Sequence, residues 1–140
     1  MIQFLSILTV ITVLITSSNA QMLVGGVVNQ NSSEFMDSAW KSVPEVNSES
    51  NDVDYLVPIK VISAQTQVVA GTNTQLEVLF GESTCQRNAY QLSQVNASRC
   101  PVKLGGGRAI YQVSIFSQPW MNVEDVKVQK VRDVRPEENI

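Results

Sequence analysis

The sequence predicts an α+β domain in which one long α-helix packs across a four- to five-stranded antiparallel β-sheet. Apolar residues recur every three or four positions between residues 35 and 46, which is the period of a helix. From residue 55 onwards, β-branched and aromatic residues recur at every second position, which is the period of a strand. One helix followed by several strands is the order of elements in an α+β fold.

Residues 1–20 are predicted to form a secretory signal peptide. An almost unbroken apolar run covers residues 2–15 and is too short to span a bilayer comfortably. Ser18 and Ala20 are the small residues that signal peptidase requires before a cleavage site. No basic residue precedes the run. The alternative is an uncleaved anchor, but no cluster of charged residues follows the run to hold it in place. We expect secretion of residues 21–140 as one domain that does not associate with membranes after cleavage.

The segment after the cleavage site is predicted to be a flexible arm over residues 21–30. Its apolar stretch is interrupted by the paired Gly25 and Gly26, which allow backbone conformations that other residues avoid. A short edge strand with a glycine bulge is an equally weighted alternative.

The helix is predicted to begin with Asn31 or Ser33 as its N-cap and with the acidic residues Glu34 and Asp37 in its first turn. Because proline lacks an N–H group, Pro44 predicts a kink or a last turn that begins near it. The apolar face that would pack on the sheet comprises Phe35, Met36, Ala39, Trp40, Val43 and Val46.

Two long strands are predicted to follow, joined by a tight hairpin whose turn residues lie between Ala70 and Asn73. Residues 81–107 have few periodic apolar positions and are predicted to form a loop that contains both cysteines. Two further strands, over residues 109–116 and 123–131, flank a second hairpin. The charged tail over residues 132–140 is expected to fray.

Cys85 and Cys100 are the only cysteines in the sequence, and a secreted protein with two thiols is expected to pair them. The alternative is a nucleophilic or metal-binding cysteine, but the sequence has no histidine to activate a thiol or complete a common zinc site. Catalysis by a Ser-His-Asp triad is excluded for the same reason. We therefore expect neither an enzyme nor a bound metal or cofactor. The scattered lysines and arginines do not predict nucleic-acid binding.

Three motifs together resemble the cystatin family. They are the arm with Gly25 and Gly26, the hairpin sequence Gln67-Val68-Val69-Ala70-Gly71, and the dipeptide Pro119-Trp120. The hairpin motif, Gln-x-Val-x-Gly, is weak alone, but its combination with the other two motifs and a signal peptide is specific. The resemblance is to secreted type 2 cystatins of the nematode kind, and it covers the whole chain after the signal peptide.

The resemblance implies reversible, competitive, tight-binding inhibition of papain-like cysteine proteases such as the cathepsins. A wedge of the arm and both hairpins would enter the protease cleft, with Leu23 and Val24 in the non-primed substrate pockets and Trp120 as an apolar anchor. Taken singly, Val68 and Val69 could instead fill a strand interior, and the tryptophan could pack in the core. A secreted immunomodulatory binding protein on the same scaffold is the alternative function, and a secreted enzyme with paired carboxylates is a further one.

The resemblance also implies a second site, for the asparagine-specific protease legumain, at Ser50-Asn51-Asp52. The alternative is an ordinary polar turn. Glycosylation sequons occur at Asn31 and Asn96, and a glycan at Asn31 would lie near the arm.

The pattern of this chain departs from that of vertebrate type 2 cystatins, because the cysteines of their second disulfide are missing. A looser C-terminal hairpin is therefore expected. We expect a monomer, and opening of the first hairpin offers a route to a domain-swapped dimer.

Overall fold

The computed structural model describes residues 27–140, which form a five-stranded antiparallel sheet with a broken helix against one face. The strands follow one another across the sheet in chain order. They are β1 (Val27–Asn29), β2 (Asp54–Val69), β3 (Gly71–Gln86), β4 (Arg108–Gln118) and β5 (Val123–Val134), and the helices are α1 (Met36–Lys41) and α2 (Val43–Glu49). The predicted α+β architecture is confirmed.

The prediction of one long helix is wrong, because the helix is broken between α1 and α2. Buried Ser42 ends α1, and both its N–H and its hydroxyl donate to the carbonyl oxygen of Ala39. Pro44 lies in the first turn of α2, where a missing N–H costs no helical hydrogen bond. The sequence predicted a kink or a last turn that begins near Pro44, and the structure has a second helix that begins at the preceding residue, Val43.

A 3₁₀ turn over Ser32–Phe35 precedes α1. The side-chain oxygen of Asn31 accepts a hydrogen bond from the N–H of Ser33, so Asn31 is the N-cap of this turn. At the C-terminal end of the helical segment, the buried side chain of Asn47 joins α2 to β2 by hydrogen bonds. Its amide group donates to the carbonyl oxygens of Val43 and Leu56, and its oxygen accepts from the Leu56 N–H.

The main core lies between the helices and one face of the sheet, which we call the inner face. Strand residues whose side chains point to that face are buried, and their neighbours point outward. The buried residues of this core are Ala39, Val43, Val46, Leu56, Val61, Ala64, Leu76, Val78, Phe80, Ala109, Tyr111, Val113 and Ile115.

The loop predicted over residues 81–107 begins later than expected, because β3 continues to Gln86 and pairs with β2 as far as Asp54. The predicted disulfide is confirmed. Cys85 and Cys100 are joined across a Cα–Cα distance of 5.4 Å, and both are buried. The disulfide therefore anchors the end of β3 to the loop that leads into β4.

The last residues of the chain, 135–140, form a C-terminal strap across the outer face of the sheet. This differs from the frayed tail that the charged sequence predicts. Arg108 donates to the carbonyl oxygens of Arg135 and Glu138, each at 2.8 Å. Arg132 and Glu138 form a two-pronged ion pair with N–O distances of 2.6 and 3.0 Å. These hydrogen bonds lower the pKa of Glu138 and raise that of Arg132.

The strap covers a second apolar cluster on the outer face. Leu79, Ile110 and Val134 are 3–6% exposed, and Ile140 packs against them. Lys60 donates to the terminal Ile140 at 3.3 Å. β5 pairs with β4 along its length, and these contacts hold the C-terminal hairpin in place. We had expected a looser hairpin, because the cysteines of the second disulfide are missing.

No helix within the part of the chain that the structure describes has the length and apolar character needed to cross a membrane. The predicted signal peptide and the arm residues Leu23, Val24, Gly25 and Gly26 lie outside the described residues.

Candidate functional site

The first tip, residues 67–71, is the hairpin turn between β2 and β3. Val69 pairs with Gly71 across a single residue, Ala70. Gly71 has a φ of 130°, and a Cβ at this position would lie 2.6 Å from the carbonyl oxygen of Ser117. Only glycine fits there without a shift of the backbone. The side chains of Val68 and Val69 are 62% and 44% exposed, so this tip presents apolar surface to solvent.

The second tip, residues 119–122, joins β4 to β5. Pro119–Met121 form a 3₁₀ turn that ends at Asn122, whose φ of 52° is left-handed and whose N–H donates to the carbonyl oxygen of Pro119. Trp120 is 68% exposed and Met121 is 63% exposed. A tryptophan packed into the core would be buried, so the second tip also presents apolar surface.

Both tips lie side by side at one end of the sheet. The last backbone pair between β3 and β4 joins Thr72 to Ser117, directly behind the two tips. Val27, the first described residue, pairs with Gln67, so the chain enters the described structure beside the first tip. The structure thus brings two of the three predicted motifs together, and Val27, the residue directly after Gly26, pairs beside the first tip.

The tips carry no charged side chain within residues 67–71 and 119–122. The ion pair of Lys41 with Glu124, at 2.8 Å, lies behind the second tip and joins α1 to β5. An apolar surface without charges loses little hydration energy on entering a protein cleft. This arrangement is suited to binding another protein and offers no group for acid–base chemistry.

The predicted second site, Ser50 to Asp52, lies at the opposite end of the sheet, just before β2. Arg87 holds this loop, donating to the carbonyl oxygens of Asp52 at 2.6 Å and Ser50 at 3.1 Å. The Ser50 hydroxyl donates to the Asp52 carboxylate at 2.7 Å. Between them, Asn51 is exposed.

Comparison with known proteins agrees with this geometry. The family model described as "Cystatin domain" matches residues 25–131. The chain belongs to the cystatin family. It is 49% identical to Cystatin cpi-1 of Caenorhabditis elegans over 99% of both chains, and 30% identical to Cystatin cpi-1 of Brugia malayi over 67% of this chain and 72% of that one. The solved crystal structure of Al-CPI is 33% identical and superposes with a TM-score of 0.62, covering 76% of this cystatin and all of that chain.

Cystatins are inhibitors of papain-like cysteine proteases rather than enzymes, and they are generally secreted. This confirms the inhibitor class that the sequence motifs indicated.

The two sequon asparagines of this cystatin are both exposed and lie outside the tips. Asn31 accepts hydrogen bonds from the N–H and the hydroxyl of Ser33 through its oxygen. Asn96 accepts from the Ser98 hydroxyl at 2.8 Å and from the Arg99 N–H at 2.9 Å.

Two residues at these sites were missed by sequence reasoning. Arg87 holds the Ser50–Asp52 loop from 35 residues away in the chain, and no local pattern marks it. Gln118 donates from its side chain to the carbonyl oxygen of Ala70, which joins the two tips. Its position directly before Pro119 was the only available signal.

Proposed function

We propose that this cystatin is a secreted, reversible and competitive inhibitor that blocks papain-like cysteine proteases by inserting a wedge into their active-site cleft. The wedge consists of the arm (Leu23, Val24, Gly25 and Gly26), the first tip and the second tip. The observation that carries the proposal is the exposure of Val68, Val69 and Trp120 on adjacent tips at one end of the sheet.

The shape of the wedge explains how a protease could bind it without cleaving it. The first tip is a closed hairpin whose flanking residues pair with each other, so in this proposal its peptide bonds do not reach the catalytic cysteine in the orientation of a substrate. Because the hairpins are already formed in the free protein, little conformational entropy is lost on binding. In this proposal Leu23 and Val24 occupy the non-primed pockets, and Gly25 and Gly26 allow the arm to bend towards them.

Steady-state inhibition of papain by Val69→Asp tests this proposal. A carboxylate on the first tip would have to lose its hydration in the cleft, so we expect inhibition at least about 100-fold weaker than that of the wild type. Val131→Asp is the matched control, because Val131 is 52% exposed on β5 at the other end of the sheet. Equal inhibition by the wild type and both folded variants would refute the wedge.

A second candidate function, inhibition of legumain, is favoured by the exposure of Asn51 on a loop that Arg87 holds in place. Because this loop and the tips lie at opposite ends of the sheet, one inhibitor molecule should bind both proteases at once. We expect Asn51→Gln to abolish legumain inhibition and leave papain inhibition unchanged. Competition between the two proteases for the wild type would contradict separate sites.

We also propose cleavage after Ala20, glycans at Asn31 and Asn96, and a monomer that can exchange its helices and β2 through an opened first tip. Intact mass spectrometry of the secreted protein before and after glycosidase treatment tests the first two. Size-exclusion chromatography after mild destabilisation tests the last, and a protein that stays monomeric throughout would count against domain swapping.

A further inference from the structure

We propose that Gln118 is a positioning residue that locks the first tip to the second. The inference rests on the proposed inhibitory function, since it explains how the two tips keep the relative placement that a wedge requires. It assigns to Gln118 an action through Ala70 rather than a direct contact with the protease.

The backbone pairing and the side-chain contacts of Gln118 place its amide group against the first tip. It is the last residue of β4, and its backbone pairs with Val123 of β5, which fixes where its side chain begins. The half-buried side chain extends over the first tip, where its amide nitrogen donates to the carbonyl oxygen of Ala70. A Cβ at Gly71 would stand 2.8 Å from the Gln118 Cγ, so the glycine also makes room for this side chain.

The contact matters because Ala70 lies beyond the last backbone pair between the two hairpins, Thr72 with Ser117. The exposed Val68 and Val69 are attached to this protruding turn. Without a contact at its end, the turn could tilt relative to the second tip. A binding-competent placement that is only partly populated weakens the apparent affinity by the same fraction.

Two substitutions of Gln118 test the hydrogen bond to Ala70 directly. Gln118→Met keeps the length and removes the donor, whereas Gln118→Glu places a carboxylate, which accepts only, against a carbonyl oxygen. Gln112→Met is the matched control, because Gln112 is exposed on the same strand and away from both tips.

We expect Gln118→Met to inhibit papain about 3- to 10-fold more weakly than the wild type, the range for loss of one hydrogen bond. Gln118→Glu should inhibit more weakly still, and Gln112→Met should match the wild type. The loss should lie in the association rate, because fewer free molecules are competent at any moment. Order parameters from ¹⁵N relaxation should fall at Ala70, Gly71 and Thr72 in the Gln118 variants and not in the control.

Three results would overturn the inference. Unchanged inhibition by a folded Gln118→Met, while Trp120→Ala is weakened, would refute the lock and leave the inhibitory function standing. A loss confined to the dissociation rate with unchanged tip order would show direct contact with the protease instead. If the wild type does not inhibit papain at all, the proposed function fails, and unchanged tip order in the variants would still refute the lock separately.

If Gln118→Met lowers the melting temperature, the shorter amide of Gln118→Asn, which cannot reach Ala70, replaces it in every comparison.

Discussion

Removal of the C-terminal strap is expected to destabilise the fold measurably. The strap is anchored by Arg108 and Lys60, and it covers the outer-face cluster of Leu79, Ile110 and Val134. Deletion of residues 136–140, which is all of the strap except Arg135, removes Ile140 and exposes this cluster to water. A frayed tail, which the charged sequence predicts, would give no such effect.

The magnitude follows from the apolar surface involved. Full burial of an isoleucine contributes about 1.5–3 kcal/mol, so the partly buried Ile140 should contribute about 1 kcal/mol. Partial exposure of Leu79, Ile110 and Val134 should cost about as much again. The hydrogen bonds of Arg108 contribute less, because water replaces the lost carbonyl acceptors. A total of about 2 kcal/mol corresponds to a fall in Tm of about 10 °C for a domain of this size.

Thermal unfolding of the oxidised protein, followed by circular dichroism, measures this effect. Ile140→Ser should reproduce about half of the loss, whereas Asn139→Ser, a change at the exposed neighbouring residue, should have no effect. The truncated protein should also bind a dye that reports exposed apolar surface. A truncated variant that melts within about 2 °C of the full-length protein would refute the reasoning, because the strap would then contribute almost no stability.

Three further predictions concern the second tip, the disulfide and the pH dependence. Trp120→Ala should weaken papain inhibition on the order of 100-fold without lowering Tm, because the exposed indole would be buried only in the complex. Replacement of Cys85 and Cys100 by serine should cost about 3 kcal/mol in urea unfolding, the value for a loop of this length. The hydrogen bond from Arg132 lowers the pKa of Glu138 below its ordinary value of 4.5. The stabilisation from this ion pair is therefore fully present above pH 4.5, and it is lost as the pH falls through the lowered pKa. The Tm difference between the wild type and Glu138→Gln should therefore narrow in acid.

Each of these predictions has a result that would contradict it. For the tip, it is an alanine variant that inhibits as well as the wild type. For the disulfide, it is a serine variant with the same urea midpoint. For the ion pair, it is a Tm difference that stays constant or widens as the pH is lowered.

The parts of the fold that depend on local sequence were predictable. The hairpin turns follow from residues such as Gly71 and Pro119, and the strands follow from their period of two. The extension of β3 was missed because its buried positions beyond Phe80 are Gly81, Ser83 and Cys85, whose small side chains give a weak apolar signal.

The parts that depend on distant contacts were not predictable. Lys60 and Ile140 meet across 80 positions of the chain, and Arg108 reaches carbonyl oxygens some 30 positions away. Nothing in the local charge pattern of the tail shows that such partners exist. The tips of the candidate site were found because each motif is a contiguous run of a few residues. The role of Gln118, which joins the tips, becomes visible only when β3 and β4 lie side by side.

The most direct test of the wedge is a titration of papain, at a known concentration of active sites, with the disulfide-bonded protein spanning residues 21–140. Its comparison is the folded double variant Gly25→Trp with Val69→Asp, which alters the arm and the first tip together. The account predicts a linear loss of papain activity to a one-to-one endpoint, recovery of activity on dilution, and sharply weaker inhibition by the double variant. Full papain activity at excess wild-type protein, or equal inhibition by the double variant, would contradict it.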